Sequence, residues 1–131
     1  MIEVTCAIIV AEDGKVLVAQ RSESMTHPLK MEFPGGKIEP GETAEQCLIR
    51  EIKEELDVNV QILCELISNQ HAYPGFSIKL TPFVCRITAG DILLKEHVAY
   101  TWLDNSELPG LDWVAADVPV VMNYLNHVST L

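Results

Sequence analysis

Glu51, Glu54 and Glu55 stand at i, i+3 and i+4 of a stretch that reads as helix. At 100° per residue they fall within one arc of about 100°, bordering an apolar stripe of Ala44, Leu48, Ile52 and Leu56. Like charges at these spacings cost about 0.2–0.5 kcal/mol per pair. A sequence shaped by stability alone would interleave cations there, and Lys53 is expected on another face. Two readings stand side by side: a solvated acidic face, common on helices of acidic proteins, or carboxylate oxygens gathered for a hard divalent cation. The loop just upstream, Gly35-Gly36-Lys37, tips the balance. Glycine lets a backbone approach a ligand closely, and lysine adds a positive charge suited to phosphate. A Gly-Gly pair alone is an ordinary turn. Glycines, lysine and clustered carboxylates together suggest a metal-bridged phosphate site.

The elements that must position these residues read in the order β-β-loop-α-β-β-β-α. Glu3 to Val10 and Lys15 to Gln20 read as strands joined at the Asp13-Gly14 turn signal. Glu32 to Glu42, with two prolines and three glycines, reads as a shaped loop without regular structure. Thr43 to Leu56 is the clearest helix, opened by a capping-box pattern of Thr43 with Gln46. Asn59 to Ser68, Phe76 to Thr88 and His97 to Leu103 read as strands. Val118, Val121, Met122, Leu125 and Val128 carry helical spacing. Strands outnumber helices and do not alternate with them, which favours an α/β fold of mixed α+β character, a mixed sheet with helices on its faces.

Composition bounds the function. The 131 residues suit one domain, 1–131, and an apolar fraction of 48% excludes a disordered chain. The longest apolar runs, Ala7 to Ala11 and Val118 to Met122, fall far short of the roughly 20 residues of a membrane span. With no basic, apolar leader after Met1-Ile2-Glu3, a cytoplasmic protein is expected. Nine Lys+Arg against nineteen Asp+Glu give a formal charge of −10, which argues against a nucleic-acid polymer as partner. It does not argue against a small phosphate ligand, because divalent cations can sit between. Cys6, Cys47, Cys64 and Cys85 form no C-x-x-C pair and are expected to be buried, reduced thiols.

Gly36, five residues, Glu42, seven residues, then Arg50-Glu51-Ile52-Lys53-Glu54-Glu55-Leu56-Asp57-Val58 resembles the signature of the Nudix hydrolases, G-x5-E-x7-R-E-U-x-E-E-x-G-U with U aliphatic. Every fixed position matches except the final glycine, here Asp57. Ala19-Gln20-Arg21, the run Glu32 to Lys37 and the closing helix with its proline extend the likeness, over essentially the whole chain, to small MutT-type nucleoside triphosphate pyrophosphohydrolases. The resemblance implies an α/β/α sandwich with a mixed sheet flanked by helices.

It also implies roles. Glu51, Glu54 and Glu55 would bind Mg²⁺, or Mn²⁺ in its place, joined by a backbone carbonyl at Gly35 or Gly36. One of these glutamates would double as the base that activates water. Arg50 would hold a glutamate in place, and Glu42 would brace the loop. Glu96 falls where such relatives place a further metal-binding glutamate; as plain loop surface it would do nothing. His97 reads as structural. Arg21 and Lys37 would contact substrate phosphate or base, against the plain reading of Arg21 as a strand-end surface cation. Phe33, Tyr73 and Phe76 would contribute to a base pocket, against the plain reading of core packing. Asp117 falls where the family reads the base edge, yet before Val118-Pro119 an aspartate is equally suited to capping a helix. An ionised Asp117 would accept from an exocyclic amine, and a protonated one could donate to a guanine O6.

The implied reaction hydrolyses a nucleoside triphosphate to the monophosphate and pyrophosphate, clearing oxidised purine or modified cytosine nucleotides, by a monomer or homodimer. Rival readings are a relative cleaving another nucleoside diphosphate derivative, and a non-catalytic nucleotide-sensing domain. Domains of the latter kind usually lose a signature glutamate, and all are present here.

Overall fold

The computed structural model describes residues 1–130. Eight strands and two α-helices form it: β1 (Ile2–Ile9), β2 (Val16–Gln20), β3 (Met31–Glu32), β4 (Gly35–Lys37), α1 (Ala44–Leu56), β5 (Asn59–Glu65), β6 (Asn69–Tyr73), β7 (Phe76–Ala89), β8 (Ala99–Leu103) and α2 (Val118–Ser129). Two short 3₁₀ turns, Asn105–Gly110 and Ala115–Asp117, lead into α2.

Strand β7 organises the larger sheet. Its parallel partner is β1, in the register Ile2↔Ile78 to Ile9↔Cys85. On its other edge the first half pairs with β6 through a Pro74-Gly75 hairpin turn, and the second half pairs with β5. Pro82 lies at that handover: its carbonyl accepts from Leu66 N–H, so its missing donor faces the gap between β6 and β5. A proline is tolerated in this central strand because no ladder bond is called for there. β4 adds to the far side of β1, and a second sheet runs β3-β2-β8.

Alternation along β1 explains the layers. Cys6 and Ile8 face one core, with Val16, Val18, Phe33, Trp113, Val120, Val121 and Tyr124. Ala7 and Ile9 face the other, with Leu17, Phe83 and the α1 residues Leu48, Ile52 and Leu56. Helices therefore cover both faces, as a mixed sheet flanked by helices requires.

Several expectations change. The loop from Glu32 to Glu42 is partly strand: Glu32 closes β3, and Gly35–Lys37 pairs antiparallel with β1. Turn-forming residues conceal a strand that exists only because β1 supplies its hydrogen bonds. The Asp13-Gly14 turn is present, but β1 and β2 diverge into different sheets. The strand expected from Asn59 to Ser68 ends at Glu65, and β6 follows it unforeseen. In α2, Val118 and Met122 are exposed, and the buried stripe is Val120, Val121 and Tyr124. Three cysteines are buried, Cys64 is partly so, and all four are free thiols.

Candidate active site

The glycine loop and α1 meet at van der Waals range because two residues lack side chains. A Cβ on Gly35 would lie 2.0 Å from the Thr5 carbonyl oxygen, and one on Gly36 would lie 2.3 Å from the Glu51 carboxyl carbon. Only glycine permits β4 to lie flat on β1 while Glu51 covers it. Helix α1 starts where expected. Thr43 Oγ1 accepts from Gln46 N–H at 3.1 Å, and Gln46 Oε1 accepts from Thr43 N–H at 2.9 Å.

Arg50 ties the loop to the helix. Its Nε and Nη2 donate to both oxygens of Glu42, at 2.7 and 2.9 Å. Nη1 donates to Glu51 Oε1 at 3.0 Å and Glu54 Oε2 at 3.2 Å, and Nη2 also reaches the Lys37 carbonyl at 3.2 Å. The guanidinium holds the Glu42 carboxyl down at about 2, helped by the Glu39 backbone.

The three helical glutamates have three different surroundings, so the face is not uniformly solvated. Glu54 is exposed, beside Arg50 and outside the cleft lining. Glu51 is half-buried, and burial raises its carboxyl despite Arg50, with Glu54 and Glu96 adding repulsion. Glu55 is buried, and its Oε2 has no partner. Burial pushes Glu55 up to about 9, and the negative charges of Glu51, Glu32 and Glu96 push the same way. Among the described residues, no three Asp, Glu, His or Cys side chains already converge as a ligand set. The donor chemistry nonetheless suits a hard cation: an orphaned buried carboxylate oxygen, a second carboxyl lying on a bare glycine, and a third across the cleft.

Glu51 and Glu55 line a cleft of about 620 Å³, with Gly35, Gly36, Lys37 and Glu96. The same cleft brings in Phe33, Tyr73, Phe76 and Asp117. Tyr73 and Phe76 stack at 5.4 Å, and Phe76 is about half exposed, so it is no core residue. Phe33 does pack in the core, 4.7 Å from Trp113, and also borders the cleft. Asp117 caps nothing: it sits in the 3₁₀ turn, and its Oδ2 accepts from Phe33 N–H at 2.8 Å. Burial pushes its carboxyl up to about 8, against the pull of that N–H. Arg21 also reaches the cleft, but each guanidinium nitrogen is engaged: Nη1 with Glu32 Oε1 at 2.8 Å, Nε with the Thr26 carbonyl, and Nη2 with Thr26 Oγ1 at 3.0 Å.

Glu32, His27, Ile78 and Leu80 also line the cleft, beyond the site residues expected from sequence. The period-two series Phe76, Ile78, Leu80 on β7 carried the signal for the last two. Nothing local announced Glu32 or His27. His97 is buried, as a structural residue should be, with Nε2–H donating to Glu32 Oε2 at 2.6 Å.

Known proteins resemble this chain in sequence and fold. A family model described as the NUDIX domain matches residues 2–123. The CTP pyrophosphohydrolase of Escherichia coli K12 is 34% identical over 125 residues, 95% of this chain and 92% of that one. The 8-oxo-dGTP diphosphatase of the same organism is 29% identical over 120 residues, 92% and 93% of the two chains. The solved structure of the E. coli ORF135 protein superimposes with a TM-score of 0.86 at 32% identity, covering 99% of this chain and 92% of that one. With the glycine loop, the arginine clamp and the three glutamates in the signature positions, the chain belongs to the Nudix family.

Proposed function

We propose that the protein is a Mg²⁺-dependent nucleoside triphosphate pyrophosphohydrolase, releasing the monophosphate and pyrophosphate. The observation that carries the reading is Glu55: a buried carboxyl with a free oxygen, in a cleft lined also by Glu51, Glu96, the glycine loop and aromatic side chains. The relatives named as CTP pyrophosphohydrolase and 8-oxo-dGTP diphosphatase support it.

Glu51, Glu55 and Glu96, with Glu54 at the rim and a carbonyl of Gly35 or Gly36, would hold Mg²⁺; Mn²⁺ would suit the same oxygens. Bound there, the cation supplies charge neutralisation for the polyphosphate and acidifies water. Lys37 offers a positive charge to the phosphate chain in the same cleft. Arg50 keeps Glu51 and Glu54 oriented from behind, and Glu42 anchors Arg50 to the loop. Phe33, Tyr73 and Phe76 would receive the base, and Asp117 would read its edge. One Asp117 oxygen is fixed by Phe33, which leaves the other for a base. With its carboxyl near 8, both protonation states are accessible around neutral pH. The ionised form accepts from a cytosine amine, and the protonated form donates to a purine O6.

The test is Mg²⁺-dependent product release from 8-oxo-dGTP, dGTP, CTP and 5-methyl-dCTP. Pyrophosphate and monophosphate from at least one of them are expected, abolished by chelation. Orthophosphate as the product would refute the bond assigned, and binding without turnover would make the protein a nucleotide sensor.

A further inference from the structure

Three residues outside the signature form one hydrogen-bonded series. His97 Nε2–H donates to Glu32 Oε2 at 2.6 Å, and Glu32 Oε1 accepts from Arg21 Nη1 at 2.8 Å. Arg21 then holds Thr26 at both its carbonyl and its hydroxyl. Arg21 follows β2 and His97 precedes β8 at one end of the antiparallel sheet, and Glu32 of β3 pairs beside them with Ala19. The series runs from a His97 side chain with no solvent exposure to a surface loop.

That loop needs holding. Between Arg21 and Lys30, His27 and Leu29 both have left-handed backbones, with φ of 51° and 62°. For residues other than glycine this costs about 1 kcal/mol or more each and persists only where surroundings enforce it. At the loop's neck, Arg21 N–H donates to the Lys30 carbonyl and Leu29 N–H to the Arg21 carbonyl. Inside the loop, the His27 carbonyl accepts from Lys30 N–H at 3.4 Å, and the Arg21 guanidinium holds the preceding residue, Thr26. Thr26 and His27 both border the cleft, and the His27 ring lies 5.3 Å from Tyr73.

We propose that Glu32 and His97 are positioning residues for nucleotide binding, acting through Arg21 to seat Thr26 and His27 in the cleft wall beside Tyr73. This rests on the nucleotide reading above. It gives Arg21 a bracing role, since each of its three guanidinium nitrogens already donates to a protein partner. His27 becomes the substrate-facing residue that the brace delivers, beside Tyr73.

The experiment pairs steady-state kinetics with hydrogen exchange on the nucleotide-free protein. His97→Leu keeps the bulk and removes the donor, and His97→Gln keeps an N–H donor. His97→Leu is expected to raise KM for the preferred triphosphate about tenfold, a loss of binding, with kcat within about threefold. Amides of residues 22–30 should exchange faster, with α1 and β7 unchanged. His97→Gln should recover much of the KM. The double variant with Arg21→Lys should be no worse than the worse single, because both cut one series. Should His97→Leu fail to fold, Thr26→Val removes the hydroxyl tie to Arg21 while the carbonyl tie remains, and is expected to shift KM and loop exchange in the same direction by a smaller factor. An unchanged KM, additive effects of Arg21→Lys and His97→Leu, or a raised KM without faster loop exchange would each overturn the proposal. If the wild type turns over no triphosphate, the function proposed above fails, and loop exchange alone then decides whether the brace exists.

Discussion

Glu55 holds an unresolved electrostatic conflict. Its carboxyl is buried among Glu51, Glu32 and Glu96 and is pushed up to about 9, so near pH 7 it is protonated without a cation. A metal ligand must be ionised, and Mg²⁺ binding should therefore release close to one proton per site at pH 7. Calorimetry in buffers of different ionisation enthalpy measures this, and no proton release would remove Glu55 from the ligand set. Glu54 is expected to act from the rim: Glu54→Gln should lower turnover at least about 10²-fold with folding intact. Near-wild-type turnover would leave Glu54 only as a partner of Arg50. Asp117 can be isolated by pH. Its folded carboxyl lies near 8, above the roughly 3.9 of an unfolded aspartate. The raised value means the folded state holds the proton more tightly. Its stabilisation is complete below about pH 4 and is lost as pH rises toward 8. Asp117→Asn lacks this titration, so its melting temperature relative to wild type should climb by more than about 5 °C between pH 5 and pH 9. A constant difference would mean that Asp117 ionises freely. The signature glutamates were legible because their spacing is local. Asp117 was legible only through the family likeness, because its partner Phe33 lies 84 residues away and local pattern offers only a helix cap.

Helix α1 was read almost to the residue, because both its ends carry their own chemistry. Thr43 and Gln46 form the reciprocal cap, and Asp57 terminates the helix in the left-handed conformation, φ 59° and ψ 32°. This is the position where the signature has glycine. Asp57→Gly relieves that conformation and removes a negative charge from the negative end of the helix dipole. Two effects oppose it: an exposed ion pair of Asp57 with Lys53 at 3.3 Å, worth little, and glycine's larger unfolded-state entropy. The variant is expected to be about 0.5 kcal/mol more stable with activity unchanged, as thermal melting beside turnover will show. A loss of activity would make Asp57 part of the site. Strands β3, β4 and β6 escaped the sequence for a common reason. Met31–Glu32 and Gly35–Lys37 are too short for periodicity, and Asn69–Tyr73 has no alternation of apolar residues. Each is strand because a neighbour pairs with it.

Across the whole molecule, of nineteen Asp and Glu residues, Glu32, Glu51, Glu55 and Glu96 line one cleft. A cation that binds only the folded form there stabilises it by mass action, about 2.7 kcal/mol at a hundred times its Kd. Melting temperature is expected to rise with Mg²⁺ beyond any rise from NaCl of equal ionic strength, and to return with a chelator. An equal rise from both salts would reduce the effect to screening. The parallel pairing of β1 with β7 has a consequence in time. During synthesis Ile2 must wait for its partner Ile78, and Ile9 for Cys85. At about 5–20 residues per second, the apolar first strand spends on the order of ten seconds without a mate. The nascent chain is therefore most exposed to aggregation and to chaperones before β7 emerges, and translation pauses upstream of Phe76 would prolong that risk.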